Sequence, residues 1–386
     1  MYSAYLTLYM LALGLTKAQV GIVTSIGLAA NFFFASISAY VTDRLGRKRT
    51  TLIFDSISWI GAQLIWANAK NMTHLVIAGI VNASVQVVSN SFTCLLLEDN
   101  QPKDRVHIFN FMQISGILAG FFAPIGTILI NRMTLIPAVR TMQFFGAFSI
   151  TLQIVLRHIL ITETSVGKQK MKEMKDVKVW QIFKAYLPIF KRVLKSKLLV
   201  YILLLRSLNF IQYTIRNTYL AVLVTERWGF KAGTMSIFHT LNAVVILLVL
   251  VFISPILMRA KKRWPLLLGI CVHISAILML LLTPPRENIV LLVLSGILIP
   301  LGVGLTTPYI DTLAANAMVE EDRAASNSVA AMTIMLLSSP FGYIGGVLSG
   351  IDPRAPFLMT LCIFITCLFL LSRIVKIEKE SKIEEE

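Results

Sequence analysis

Asp43-Arg44-Leu45-Gly46-Arg47-Lys48-Arg49 is a short basic turn set between two apolar runs. The run before it, Val20 to Val41, carries no charged residue, and the run after it, Leu52 to Ala69, carries only Asp55. Each flank has the length and apolarity of a membrane-crossing helix, which takes roughly 20 mostly apolar residues. A basic turn between two such helices belongs on the cytoplasmic side, because positively charged loops resist translocation. Gly46 permits a tight reversal, Asp43 closes the helix before it, and the arginines can meet carboxylates or helix ends nearby.

Working outward, the same pattern fills the chain. Of 386 residues, 56% are hydrophobic and 15% charged, which excludes an ordinary soluble protein. Apolar runs at 19–41, 51–69, 73–96, 106–130, 138–160, 198–223, 232–258, 264–283, 288–313, 325–349 and 355–375 predict eleven spanning helices. A shorter run at 2–15 precedes them and cannot cross a bilayer about 30 Å thick at 1.5 Å per residue. It is read as the outer part of a first, N-terminally truncated helix, making twelve.

The net charge of +16 raises the question of a polyanionic partner. Its distribution answers that. With alternate loops assigned to opposite sides, 26 Lys and Arg fall on the side of residues 43–49, 8 fall on the other, and Arg206 and Arg216 sit inside a span. This is an orientation signal, with both termini cytoplasmic, and nucleic acid is not an expected partner. The four cysteines lie in apolar runs without metal-ligand spacing and read as small core residues. The five histidines are scattered over as many spans, so no metal site and no cofactor is expected.

The only long polar interval, 163–197, divides the spans six and six. Ala123-Pro124-Ile125-Gly126 and Ser339-Pro340-Phe341-Gly342 match at an offset of 216, and the same offset carries the 43–47 turn onto the basic stretch 259–263. Asp104-Arg105 and Asp322-Arg323 match at 218. These correspondences predict a duplicated chain: a half at 1–162, a linker at 163–197, a half at 198–375 and a charged tail at 376–386. Within the linker, Trp180, Phe183, Leu187, Phe190 and Leu194 share one helical stripe, with lysines on other faces. Such a basic amphipathic helix, bent at Pro188, suits the inner-leaflet interface or a strap beneath the bundle.

The basic turn resembles the signature between helices 2 and 3 of the major facilitator superfamily, Gly-x-x-x-Asp-Arg-x-Gly-Arg-Arg/Lys. Here it reads Ala39-x-x-x-Asp43-Arg44-x-Gly46-Arg47-Lys48, with Ala39 for the first Gly. The resemblance extends over the whole chain through the repeat. It implies an all-α fold of two pseudo-symmetric six-helix halves whose helices 1, 4, 7 and 10 line a central cavity. It further implies alternating access, with Asp43, Arg44, Gly46, Arg47, Glu98, Asp104, Arg105, Asp322 and Arg323 as a cytoplasmic gate. The stretch 116–126, with Gly116, Gly120 and Pro124, matches the drug-antiporter signature of that superfamily only weakly, because Ala123 precedes Pro124.

Polar side chains within spans are costly and therefore mark function. Asn209, Gln212 and Arg216 share a face of the seventh span, with Arg206, Tyr213 and Asn217 beside it. Asn82, Gln86 and Asn90 recur every four residues in the fourth span, and His239 and Asn242 lie in the eighth. These are the expected substrate-cavity residues, the alternative for each amide being an interhelical hydrogen bond and for Arg216 and Arg206 snorkelling to the outer and inner surface. Asp55 and Asp311 are the candidates for a coupling proton; the alternatives are pairing with the 43–49 turn for Asp55 and pairing at the gate for Asp311.

These features point to a secondary transporter, expected to be a proton-coupled monomer of the plasma membrane moving a polar or anionic small molecule. Export of lipophilic drugs is the alternative within that class. A polytopic membrane enzyme or scaffold is the alternative of another class, but no His or carboxylate cluster supports it. The phosphate-binding loop Gly-x-x-x-x-Gly-Lys-[Ser/Thr] is missing, which argues against ATP-driven pumping.

Overall fold

The computed structural model describes residues 2–101, 105–253, 263–283, 289–317 and 323–385. Every regular element among them is helical. Ten helices are long and apolar enough to cross a membrane: Lys17–Leu45, Met72–Leu97, Ile114–Met133, Leu135–Leu160, Lys197–Arg227, Ala232–Ile253, Trp264–Leu282, Val290–Ala314, Ser326–Ile351 and Ala355–Ile377. Between the first two of these lies a further helix, Arg47–Asp55, continued by π-helical Ser56–Gly61 and α-helical Ala62–Ala67. A turn at Tyr2–Tyr5 and helix Leu6–Ala12 come before them all. Counting in chain order from this short helix, Lys17–Leu45 is the second span, Arg47–Ala67 the third and Lys197–Arg227 the seventh. Asp104, Asp322, most of the 259–263 turn and the side chains of Arg105 and Arg323 lie outside the described residues.

Local chemistry sets the helix ends. Thr16 and Gln19 cap the second span reciprocally, Asn71 accepts the His74 N–H at the start of the fourth, and Ser196 accepts the Leu199 N–H at the start of the seventh. Gly46 separates the second and third spans at a φ of +85°, a conformation that a side chain would strain.

Two contacts are the most extensive between the first six spans and the last six. The second span lies along the eleventh, and the fifth meets the eighth. An offset of six spans turns one contact into the other. The first is the closer. A Cβ on Gly342 would stand 2.8 Å from Ser25 Oγ, and one on Gly346 would stand 2.5 Å from the Lys17 carbonyl. Small residues at this spacing let the backbones approach at Gly342 and Gly346, whereas Gly350 faces open space. In the second contact, a Cβ on Gly120 would meet that of Ala243 at 2.6 Å, whereas Gly116 faces open space.

The structure also adds a correspondence. Tyr5 of the first helix and Tyr219 of the seventh are both fully buried. Tyr5 lies where a side chain on Gly126 would be, 2.8 Å away, and its hydroxyl reaches Thr127 at 3.1 Å. Tyr219 donates to the Gly342 carbonyl at 2.6 Å. Gly126 and Gly342 are the repeated glycines of the Pro-x-Gly segments, so each half pins its first helix to its fifth through a tyrosine.

The cysteines correct the expectation made of them. Cys367 is buried and Cys94 half-buried, but Cys271 and Cys362 stand on the outside of the bundle. On a lipid-facing surface, a small apolar residue is as well placed outside as in. The linker forms two helices, Ser165–Glu173 and Val179–Lys195, the second running through Pro188 without interruption.

Candidate functional site

At the basic end, Arg47 holds the site together. Its side chain is almost wholly buried and pairs with Asp43 at 2.9 Å and Glu98 at 2.9 Å. Glu98 also accepts from the Thr164 hydroxyl at 2.5 Å. Glu163, at the start of the linker, accepts the backbone N–H groups of Arg47 and Lys48, each at 3.0 Å. A carboxylate there satisfies two donors that the third span's first turn leaves open and meets the positive end of the helix dipole. Gly46 makes room for it, since a Cβ would lie 2.6 Å from Glu163 Oε2. The glycine of the signature is thus needed both for its backbone angle and for this approach.

Among the described residues Arg44 meets no carboxylate: it hydrogen-bonds the Tyr40 hydroxyl and lies over that ring, because i and i+4 share a helical face. Tyr40 in turn donates to the Val177 carbonyl of the linker at 3.2 Å. The described pairs of Arg47 are with residues of the first six spans and the linker, and Asp322 and the Arg323 side chain, the expected second-half members of the gate, lie outside the described residues.

The seventh-span stripe faces open volume along its length. A cavity of about 450 Å³ is lined by Arg206, Asn209, Gln212, Tyr213, Thr307 and Asp311. A second, of about 320 Å³, is lined by Tyr213, Arg216, Asn217, His239, Asn242 and by Ser3 and Ala4 of the first helix. Tyr213 belongs to both. The two cavities therefore take in every residue of the seventh and eighth spans that the sequence reading placed in the substrate cavity. Leu220, Met235, Phe238 and Ile299 complete the second cavity with an apolar wall.

Within it, Arg216 is the exceptional group. Its guanidinium lies over the Tyr213 ring, 5.5 Å from the centroid, and its Nη1 is buried with no hydrogen-bond partner among the described residues. On the far side, a narrow gap joins it to Gln212 and His273, whose Nε2 is also buried and unpartnered. His273 is 2% exposed and stacks on Phe364 at 4.6 Å. Sequence reading passed over this histidine because it stands alone in an apolar run. A buried cation without a partner costs several kcal/mol, about 3–5 for a broken pair, unless a ligand or water completes it.

Arg206, by contrast, is paired, with Asp311 at 3.1 Å and Asn327 at 3.1 Å. Asn209 accepts from Gln212 at 3.1 Å within the stripe. Asp55 pairs with Arg157 of the sixth span, not with the 43–49 turn, because both point into a cavity of about 280 Å³ between the third, fourth and sixth spans.

The fourth-span amides engage their neighbours. Asn82 donates to the Ser58 carbonyl at 2.9 Å, Gln86 to Asn31 at 3.1 Å and Asn90 to Thr42 at 3.2 Å. Ser58 lies in the π-helical segment, where the altered hydrogen-bond register leaves a carbonyl for a side chain to claim. These residues tie the second and third spans to the fourth, the interhelical alternative, and are not brought to Arg216. Among the described residues no cluster of His, Cys, Asp or Glu could hold a metal ion.

The family model described as Major Facilitator Superfamily matches residues 1–343 and again 202–386. Among solved structures, the chain resembles a mutant of the nucleoside transporter NupG, with a TM-score of 0.73 and 16% identity over 97% of this chain and 96% of that one. It resembles a POT family transporter in complex with a thioalcohol-conjugated peptide at a TM-score of 0.73 and 14% identity, covering 98% and 92%. A POT family transporter in complex with 5-aminolevulinic acid gives 0.72 at 14%, over 98% and 92%. At these identities the likeness concerns the fold. No curated protein matches the sequence.

Proposed function

The chain belongs to the major facilitator superfamily, and from that premise we propose that it is a secondary active transporter of a small organic anion with an apolar portion. The observation that carries this reading is Arg216, a half-buried arginine whose Nη1 is buried without a partner among the described residues, in the wall of a 320 Å³ cavity. An anionic group of the substrate completes its hydrogen bonding, with Asn217, Asn242 and His239 as further polar contacts. Leu220, Met235, Phe238 and Ile299 suit the apolar remainder.

Access alternates as the two halves, 1–162 and 198–375, rock about this site. The ion pairs of Arg47 with Asp43 and Glu98, clamped by Glu163, form the cytoplasmic gate, with residues 104–105 and 322–323 as its matching parts. Asp311 is the better coupling carboxylate of the two, because it lines the same run of cavities as the polar stripe. Asp55 lies in the other half, locked to Arg157. The protein works as a monomer in the plasma membrane with both termini cytoplasmic.

The fold neighbours include POT family transporters solved in complex with a thioalcohol-conjugated peptide and with 5-aminolevulinic acid. A thermal-shift screen of the purified protein against organic acids, acidic peptides, sugars, nucleosides and cationic drugs tests the reading. An organic anion should raise the melting temperature of the wild type and leave Arg216→Ala unmoved. Stabilisation only by neutral or cationic compounds, equal in the variant, would overturn it.

A further inference from the structure

The linker helix Val179–Lys195 buries a different face from the one its amphipathic pattern announces. It packs against the second, seventh and eleventh spans. Tyr186 and Ile189 are partly covered there and Val193 is buried, 4% exposed. The Tyr186 hydroxyl is held above its ordinary pKa range first by burial and then by the nearby Asp43 carboxylate, which places the helix beside the basic turn. Trp180, Leu187 and Leu194, spaced by seven residues along the other stripe, remain 67%, 58% and 50% exposed.

At roughly 100° per residue, this apolar edge lies about a third of a turn from the packed face. Lys184, Lys191 and Lys195 lie beyond it, on the side facing away from the bundle, and all three are exposed. The helix therefore presents bundle, apolar edge and lysines in rotational order.

We propose that this edge is a binding surface for the anionic cytoplasmic leaflet: Trp180, Leu187 and Leu194 enter the acyl boundary, and Lys184, Lys191 and Lys195 select anionic headgroups. Charge complementarity commits the occupant. Three cations border an apolar strip on a protein already seated in a bilayer, and an amphipathic helix of this kind binds through apolar area plus attraction to anionic lipid.

Trp180 reports on its own surroundings. The full chain is reconstituted in phosphatidylcholine vesicles containing brominated phosphatidylglycerol or brominated phosphatidylcholine at equal mole fraction, and the Trp180→Phe signal is subtracted. Quenching of Trp180 by the brominated anionic lipid should exceed that by the brominated zwitterionic lipid roughly twofold or more, as headgroup attraction concentrates it there. The triple variant Lys184→Gln, Lys191→Gln, Lys195→Gln should bring the two to parity. In parallel, a photoactivatable phosphatidylglycerol should give adducts on 179–195 of the unsubstituted protein more often than its phosphatidylcholine counterpart. Equal quenching and equal adduct yield in the wild type would overturn the headgroup selection. An unquenched Trp180, with the edge covered by a second copy of the chain or by water, would overturn the surface itself.

Discussion

Arg216 concentrates the functional argument in one side chain. It was visible in the sequence because an ionisable residue within an apolar run stands out, and its face was given by Asn209 and Gln212 at helical spacing. Its missing partner was not visible, since that depends on what the first, eighth and tenth spans bring near it. Arg216→Ala should weaken binding of an anionic substrate by roughly 1.5–3 kcal/mol, the range for a hydrogen bond to a charged group. Titration calorimetry with the ligand found by thermal shift checks this, and equal affinity in the variant would remove Arg216 from the site. Gly46 makes a second residue-scale prediction. At φ +85° and with Glu163 Oε2 in the place of a Cβ, Gly46→Ala should destabilise by about 1–3 kcal/mol. Gly116→Ala, at a helical glycine facing open space, should not. Comparing the melting temperatures of the two variants decides it.

Among elements, legibility followed contrast. The spans were readable because each is apolar over membrane length, and the repeat was readable where Pro-x-Gly recurs. Tyr5 and Tyr219 correspond at a slightly different offset, and a tyrosine inside an apolar run carries no contrast, so the pair is seen only against Gly126 and Gly342. Glu163 was lost for the opposite reason, as one acid in a highly charged linker. The fourth-span stripe was correctly found as a polar face, yet polarity alone cannot say whether a face meets a cavity or the backbone carbonyl of a π-helical neighbour. The linker clamp carries the prediction at this scale. Asp43→Asn and Glu163→Gln should each slow turnover while leaving substrate affinity within about twofold, because both act at the basic end, away from Arg216. Transport and binding measured on the same reconstituted variants test this, and parallel loss of both would place these residues in the binding site.

For the whole molecule, the pseudo-two-fold arrangement sets what can move. The second span is closely joined to the eleventh through Gly21, Gly342 and Gly346, and the fifth meets the eighth through Gly120. In the proposed cycle, these paired contacts supply the axis about which the halves rock. The ends differ: Lys17 bridges to Glu226 and to the Ser349 carbonyl at one end, while Arg47, Glu98 and Glu163 lock the first half to its linker at the other. The central claim is that these ends open in turn around the Arg216 cavity. It is tested most directly by spin-label distances in the reconstituted protein, with one pair at Arg49 and Lys197 and the other at Lys70 and Arg354. On adding the anion identified by thermal shift, one distance should lengthen as the other shortens, and Arg216→Ala should abolish the change. Two distances that stay fixed, or that move in the same direction, would contradict alternating access.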